Sequence, residues 1–262
     1  MIASPASLAT LTWPRQLRVE ASVDAVAAHV AERLFQALEQ AAVLGLATGR
    51  TMEPVYAALR QRLMALPPAP LALLLSRWRS FNLDEYVGLG GDDPRSFAAF
   101  MQRQLAGPLQ VPAGGLQIPD GCAADPDAEA RRYGAAVIAA GGLDLQLLGL
   151  GSNGHVGFNE PPCGPEAPCR CLELSRATRE QNAAAFGGDP AAVPERAISL
   201  GMAEILASRR VLLVVTGAAK AQILRRALQD PPCPEVPASW LQHHPQLEVV
   251  VDQAAAAGLE LG

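Results

Sequence analysis

Short runs of apolar residues alternate with helix-like segments along most of this chain. Four runs have the length and composition of buried strands: residues 43–46, 143–150, 211–215 and 247–251. Strands that are apolar on both sides are typical of a parallel sheet covered by helices. The pattern therefore predicts an α/β fold, a single doubly wound domain over residues 1–262 with a mostly parallel sheet and helices on both faces.

Helices are predicted between these strands from a repeat of about 3.6 residues. Ser22 is placed to cap the first helix, whose apolar face comprises Val23, Val26, Ala27, Val30, Leu34 and Leu38. Pro54 falls in the first turn of the second helix, where proline is tolerated. Residues 96–105 and 125–140 are predicted to be helical.

The segment before the middle of the chain is harder to assign. Residues 71–75 are expected to form another buried strand or the end of a helix, and residues 77–83 a strand that runs into a loop at 84–93. No internal repeat and no linker rich in glycine, serine or charge divides the chain, which favours one domain.

Composition and charge narrow the class of function. Half of the 262 residues are apolar, and the net charge is −5 with few aromatic residues, which gives no support to a nucleic-acid partner. No apolar run reaches the ~18 residues of a membrane span, and the N-terminal residues lack the pattern of a signal peptide. We therefore expect a cytoplasmic protein without nucleic-acid or membrane partners.

The five cysteines are an odd number, which favours free thiols over a disulfide framework. Cys163, Cys169 and Cys171 lie close together in PPCGPEAPCRC, but their spacing differs from the C-x₂-C of usual zinc sites. We expect a mobile loop with incidental thiols here and no metal site.

Open parallel sheets bind ligands beyond the carboxyl ends of their strands, so polar residues at those places are the candidates for chemistry. After the strand at 43–46, Thr48, Gly49, Arg50 and Thr51 lead into a helix. Backbone N–H groups and the helix dipole at such a turn favour an anion. The GK[ST] ending of a nucleotide-binding P-loop is missing, and an ordinary turn is an equal alternative for this stretch alone.

Two adjacent carboxylates, Asp84 and Glu85, follow the segment at 77–83. In extended backbone they point to opposite sides, so one enters the cleft while the other anchors the chain or meets solvent. A carboxylate in a dry pocket is suited to abstract a proton. An exposed acidic turn is the alternative.

The stretch LLGLGSNGHVGFNEP, residues 147–161, carries the most distinctive histidine. Its glycines let the backbone approach a ligand and let His155 project from a tight turn. Glu160 is placed to hold the imidazole and to stabilise its cation, which favours a functional role over a core one. The pair His243–His244 precedes Pro245 and is expected in a surface turn.

Lys220 is the single lysine of the chain, since the other 20 basic residues are arginines. It follows the strand at 211–215 and is predicted to open a helix at the same edge of the sheet. A compact ammonium beside free amides suits a phosphate. Because every other basic residue is arginine, we expect this lysine to have a specific role.

Together these motifs resemble the glucosamine-6-phosphate deaminase branch of the sugar-phosphate isomerase superfamily. The resemblance runs from about residue 44 to residue 252 and rests on stretches in the family's order: GLATGRT, FNLDEYVGL, GLGSNGHVGFNEP, LSRATREQN, VPERAISLGMAEIL, TGAAKA and WLQHHP. The related 6-phosphogluconolactonases share the Gly-His loop but usually continue with a Ser-Leu-Phe-Pro type sequence, so NEP favours the deaminase.

The resemblance implies an amino-sugar 6-phosphate as substrate and neither a metal nor an organic cofactor. Lys220, Arg179 and the loop at 48–51 would bind the phosphate. His155 would open the pyranose ring, and Asp84 would then take the proton from C2. Hydrolysis of the resulting ketimine would release ammonia and leave fructose 6-phosphate.

Asn153 and Arg50 depart from the family pattern. Asn153 stands where many members have aspartate; it still hydrogen-bonds His155 but carries no charge, which leaves Glu160 alone to stabilise the imidazolium. Arg50 stands where glycine is usual, which would add a phosphate or substrate contact and leaves the identity of the substrate open.

Regulation and assembly are left open by the resemblance. Leu172 and Cys163 replace a lysine and a serine of the regulated members, so an allosteric site for an acetylated sugar phosphate is not expected. Whether the protein is a monomer or a homo-oligomer is undecided. Two alternative functions also remain: another enzyme on this scaffold, acting on galactosamine 6-phosphate or 6-phosphogluconolactone, and a non-enzymatic sugar-phosphate sensor. No helix-turn-helix or basic stretch supports the sensor.

Overall fold

The computed structural model describes residues 16–260. Its strands are β1 (Gln16–Glu20), β2 (Val43–Leu46), β3 (Arg79–Asn82), β4 (Asp84–Tyr86), β5 (Leu116–Gln117), β6 (Leu145–Gly149), β7 (Arg170–Glu173), β8 (Arg196–Ser199), β9 (Val211–Val215) and β10 (Leu247–Asp252). Its α-helices are α1 (Val23–Glu39), α2 (Met52–Met64), α3 (Pro68–Ser76), α4 (Phe97–Met101), α5 (Gly107–Leu109), α6 (Pro126–Ala139), α7 (Arg176–Asn182), α8 (Met202–Ala207), α9 (Ala221–Gln229) and α10 (Gln253–Ala256).

Seven strands form one parallel sheet in the order β1-β10-β9-β6-β2-β3-β5. From β2 the chain moves outward to β3 and β5, then returns to β6 on the other side of β2 and moves outward to β9 and β10. Crossovers between parallel strands are almost always right-handed, so the helices of the two halves cover opposite faces. The predicted α/β fold with a mostly parallel sheet is confirmed, and the order reverses between β2 and β6.

The central strands are buried on both sides, as their composition predicts: every residue of β2 and β9 is buried. Helix α1 begins where expected, because the Ser22 hydroxyl accepts a hydrogen bond from Ala25 N at 3.2 Å. Its predicted apolar face is buried except at Val23, which is 41% exposed in the first turn of the helix.

A second, smaller sheet was not predicted. Strands β4, β8 and β7 pair antiparallel in that order, so the segment expected to be a loop at 84–93 begins with a strand. Its three strands are only three or four residues long, too short for alternation to be recognised in the sequence.

Several other expectations need correction. Residues 71–75 form the second half of helix α3, which confirms the alternative of a helix end; the alternative of a buried strand is wrong, and Leu73 is 53% exposed. The helix predicted at 96–105 is α4 continued by a π-helical turn, Gln102–Ala106, and then by α5. His244 does not lie in a surface turn: it is buried, with Nε2 2.8 Å from the carbonyl oxygen of Ser208.

The buried side chains form a large core around the parallel sheet and a second, smaller core beside it. The smaller core contains the aromatic rings of Tyr86, Phe158 and Phe186, and the partly buried Phe97 packs against it. The Tyr86 ring lies 4.7 Å from Phe97, 5.4 Å from Phe158 and 5.5 Å from Phe186 between centroids. The smaller core thus joins β4, α4, the loop after β6 and the segment after α7.

Two features of residues 16–260 bear on the kind of protein. No helix there is long and apolar enough to cross a membrane. No group of three or more histidine, cysteine or acidic side chains in this part of the chain is arranged to hold a metal ion. The five cysteines are free thiols, and Cys163 and Cys169 are buried.

Candidate active site

Open α/β sheets bind ligands in a crevice at the carboxyl ends of the strands where the strand order reverses, and here the order reverses between β2 and β6. The loop at 48–51 follows β2 and lines one side. Gly49 adopts a φ of +106°, which a residue with a side chain rarely reaches, and its carbonyl oxygen accepts a hydrogen bond from Met52 N. The Thr51 side chain makes no capping hydrogen bond to α2, so amides of the first turn are left for an anion.

Two cations, Lys220 and Arg50, lie near enough at this edge of the sheet to interact electrostatically. Lys220 ends a single helical turn between β9 and α9 and is half-buried. Burial and then the positive charge of Arg50 lower the pKa of Lys220 below its usual range. In residues 16–260 neither cation has a carboxylate within salt-bridge distance. A dianionic phosphate placed between them would relieve their repulsion.

The loop that carries Lys220 is fixed by Asp252, a residue that the sequence reasoning missed. Both carboxylate oxygens of Asp252 lie 3.0 Å from Gly217 N, and one also accepts a hydrogen bond from Ala255 N at 2.7 Å. Gly217 needs its φ of +90° to present that amide. An aspartate between a final strand and a short helix is a capping signal that could have indicated this contact.

The glycine-rich loop after β6 buries His155, which is 8% exposed. Its Nδ1 lies 3.8 Å from Glu160 Oε2, longer than a hydrogen bond. Asn153 hydrogen-bonds His155 as expected, but through the main chain: its Oδ1 accepts from the backbone N of His155 at 3.2 Å, and its Nδ2 donates to Glu160 Oε2 at 2.9 Å. Asn153 therefore orients Glu160 and the main chain, and does not contact the imidazole ring.

The electrostatic environment keeps His155 neutral. Burial lowers the pKa of His155, the charge of Glu160 opposes this decrease, and the charge of Lys220 adds to it. A neutral imidazole can accept a proton at one nitrogen and donate one at the other. The second carboxylate oxygen of Glu160, Oε1, is buried and has no hydrogen-bond partner among the described residues, so it is free to accept one.

Helix α7 packs against this loop through three side chains that the sequence reasoning did not single out. Ser175 Oγ lies 3.2 Å from Glu160 Oε2, and Thr178 Oγ1 lies 3.5 Å from His155 Nδ1. Gln181 Oε1 accepts a hydrogen bond from the hydroxyl of Ser152 at 2.6 Å. Ser175 also caps the helix, and a serine just before RATREQN is the signal that could have marked the start of α7.

Arg179, a predicted phosphate ligand, lies on α7 next to Thr178. Its guanidinium reaches Glu195 at a distance of 3.9 Å, and its buried Nε has no partner among the described residues. Arg179 shares a helix with side chains that contact His155 and Glu160, but the structure shows no contact between its guanidinium and Lys220 or Arg50.

Asp84 lies on β4, immediately beyond the carboxyl end of β3, the neighbour of β2. It is 5% exposed, and none of the described residues donates a hydrogen bond to its carboxyl group. Burial, and to a smaller extent the charge of Glu85, raises the pKa of Asp84 well above its usual range. A carboxyl group in this state is a strong proton acceptor once it is ionised.

The structure thus brings Asn153, His155 and Glu160 into one cluster and places Lys220 and Arg50 beside it. The loop at 48–51 and Asp84 follow the neighbouring strands β2 and β3, so they share the same edge of the sheet. Arg179 approaches from outside the parallel sheet, on α7.

Comparison with known proteins agrees with the resemblance found in the sequence motifs. A glucosamine-6-phosphate deaminase of Rhodopirellula baltica is 40% identical over 90% of each chain. A solved structure described as a monomeric glucosamine-6-phosphate deaminase matches with a TM-score of 0.86 and 32% identity, over 93% of this chain and 100% of that one. A 6-phosphogluconolactonase of Leishmania guyanensis, 20% identical with a TM-score of 0.73 over 94% of this chain and 99% of its own, shares the fold. The model of the family described as glucosamine-6-phosphate isomerases/6-phosphogluconolactonase matches residues 18–251, and the chain belongs to that family.

Proposed function

We propose that the protein is a glucosamine-6-phosphate deaminase, which acts in the cytoplasm as a single catalytic domain and forms fructose 6-phosphate and ammonia. One observation carries the proposal: a buried histidine with a lowered pKa, a buried carboxyl group and two cations lie along one edge of the sheet, and within residues 16–260 neither the carboxyl group has a hydrogen-bond donor nor the cations an ion-pair partner. Relatives that carry this name and are about 40% identical over nine-tenths of the chain support it.

The phosphate of the substrate binds to Lys220, Arg50 and the free amides of the loop at 48–51. Two positive charges, one before α2 and one before α9, match the charge of a phosphate, and free amides at a helix start match its oxygens. Arg179 completes this set when α7 lies over the bound sugar. Binding a dianion also stabilises the charged form of Lys220, whose pKa is low in the free protein.

His155 opens the pyranose ring. In its neutral form it takes the proton of the anomeric hydroxyl at one nitrogen and supplies a proton to the ring oxygen. Glu160, held by Asn153 and Ser175, stabilises the imidazolium formed between these two transfers. The products of this step are the free aldehyde at C1 and the hydroxyl at C5.

Asp84 then removes the proton from C2. The electron pair of the C2–H bond forms the C1–C2 double bond, and the C1 carbonyl oxygen takes a proton, which gives an enolamine. Protonation at C1 converts the enolamine to a ketimine at C2. Water adds to C2, the C2–N bond breaks, and nitrogen leaves as ammonia. These steps transfer protons, add one water and release ammonia without a net oxidation or reduction, so the substrate's own amine and carbonyl supply the electron sink.

The test is to measure ammonia release from glucosamine 6-phosphate, with galactosamine 6-phosphate as the epimeric substrate and hydrolysis of 6-phosphogluconolactone as the competing reaction. We expect ammonia and fructose 6-phosphate in equal amounts from the first compound, with the highest kcat/KM. Asp84→Asn should lower kcat by ~10²–10⁴-fold, the usual contribution of a general base. A higher kcat/KM with the lactone or the galactose epimer would refute the assignment.

A further inference from the structure

Glu85 stands beside the proposed base and is not used by the proposed reaction. It is 1% exposed, and its carboxyl group accepts three backbone hydrogen bonds. Oε1 lies 2.8 Å from Tyr86 N and 3.0 Å from Phe97 N, and Oε2 lies 2.7 Å from Ala98 N. The last two amides belong to the first turn of α4, whose orphan N–H groups are thereby satisfied.

These bonds determine where Asp84 points. Successive side chains of a strand lie on opposite faces, so a Glu85 side chain tied to α4 on one face leaves Asp84 on the other. The main chain is held as well: Asn82 Nδ2 donates to the carbonyl oxygen of Asp84 at 2.8 Å, and Asp84 pairs with Ser199 of β8. Freeing Glu85 would release the side chain that fixes this short strand.

We propose that Glu85 is a positioning residue for Asp84: by joining β4 to the amino terminus of α4, it fixes the direction of the Asp84 carboxyl group and places a second carboxyl group next to it. The inference rests on the proposed role of Asp84 as the base. In this proposal Glu85 sets the direction of the Asp84 carboxyl group and also contributes to its basicity.

The charges around the two carboxyl groups support the second part. Among the described residues, the ionisable groups near enough to interact electrostatically with Asp84 are Glu85 on its own strand and three tyrosines, Tyr56 on α2, Tyr86 on β4 and Tyr133 on α6. Burial raises the pKa of all three tyrosines, so they stay neutral, and Glu85 is the charged neighbour that raises the pKa of Asp84. Asp93 faces Glu85 in turn and adds to the increase in its pKa.

The decisive variant is Glu85→Gln, which keeps the shape and two of the three hydrogen bonds but removes the charge. Activity requires ionised Asp84, so the acid limb of the kcat/KM profile should move to lower pH in this variant. The NH₂ of glutamine opposes the Ala98 amide, so kcat should also fall by about 10-fold while KM changes little; Glu85→Ala, which loses all three bonds, should lose ~10²-fold.

Glu129→Gln is the matched control. Glu129 is also a buried carboxylate that accepts a backbone amide, that of Asp120, at 2.8 Å, but it lies on α6 beside Arg132. This variant should lower the melting temperature and leave the pH profile unchanged. The position of the acid limb does not depend on the amount of folded enzyme, so partial unfolding of a Glu85 variant cannot imitate the effect.

Two results separate this inference from the proposed function. If Asp84→Asn retains turnover, Asp84 is not the base and both fail. If Asp84→Asn is inactive but Glu85→Gln keeps both its acid limb and its kcat, the proposed function stands and Glu85 is a structural anchor only, which overturns the inference. The inference is overturned as well if Glu85→Gln only lowers the melting temperature and leaves the kcat/KM pH profile unchanged.

Discussion

Gly151 offers a direct test of how closely the catalytic loop is packed. A Cβ atom at this position would lie 2.4 Å from each of three ring atoms of His155, Cδ2, Cε1 and Nε2. Ordinary contact begins near 3.4 Å, so Gly151→Ala forces the imidazole to move by about 1 Å. The φ of Gly151 lies outside the left-handed region, so alanine strains the ring contact and not the backbone conformation.

A displacement of about 1 Å can lower the rate by ~10²-fold, which corresponds to about 2.7 kcal/mol in the activation barrier. We therefore expect Gly151→Ala to lose about two decades of kcat/KM for glucosamine 6-phosphate in a coupled ammonia assay. Gly164→Ala is the control, because a Cβ there meets nothing within 4 Å and φ is also ordinary. Full activity of a folded Gly151→Ala protein would show that the position of His155 is not set by this contact.

Three further outcomes follow from the site. Lys220→Arg should raise KM and lower kcat, because a broad guanidinium misplaces the sugar phosphate, and wild-type kinetics would contradict a specific role of the lysine. Lys220→Ala should chiefly raise KM, with a smaller loss for a substrate without phosphate. Asp84→Asn should raise the melting temperature at neutral pH: the pKa of Asp84 is higher in the folded state than the 3.8 of the free side chain, so ionisation costs stability as pH rises through that folded-state pKa. The gain should vanish below about pH 4, and a gain that persists in acid would show another origin. His155→Gln should impair turnover of the cyclic substrate far more than that of an open-chain analogue, and equal losses would place the histidine in a later step.

The parallel sheet could be predicted because its signal is local. Strands such as β2 and β9 are apolar throughout, and α1 and α6 carry caps, Ser22 and Asp125, that bond to the amides of their first turns. Burial on both sides leaves the sequence little freedom at such positions. The same is true of the loops after the strands, since their location follows from the topology of an open sheet.

The antiparallel sheet escaped prediction because its strands are short and lie far apart in the chain. Asp84 pairs with Ser199 across 115 residues of sequence, and β8 must also pair with β7. Long-range pairing of this kind leaves no periodic signal in four residues. The contacts of Ser175 and Thr178 with the catalytic loop were missed for the same reason, although the serine that caps α7 is visible in the sequence.

The contacts within the His155 cluster also could not be predicted from the sequence. Spacing suggests that Glu160 holds the imidazole, and the family resemblance implies that Asn153 hydrogen-bonds His155. The structure instead places Asn153 between Glu160 and the main chain of His155. Side-chain direction in a glycine-rich loop depends on backbone angles such as the φ of +89° at Gly154, which composition does not specify.

The second, smaller core, with its cluster of aromatic rings, has a consequence for how this protein unfolds on heating. It is separated from the main core, and it holds together β4, α4 and the segment after α7. Small cooperative units of this kind open at lower free energy than the sheet that supports them. In hydrogen exchange, the amides of β4 and α4 should therefore exchange together and ahead of those of β2 and β9. Enzyme activity should accordingly be lost on warming before the far-ultraviolet circular dichroism changes, and should return on cooling as long as the parallel sheet has stayed folded.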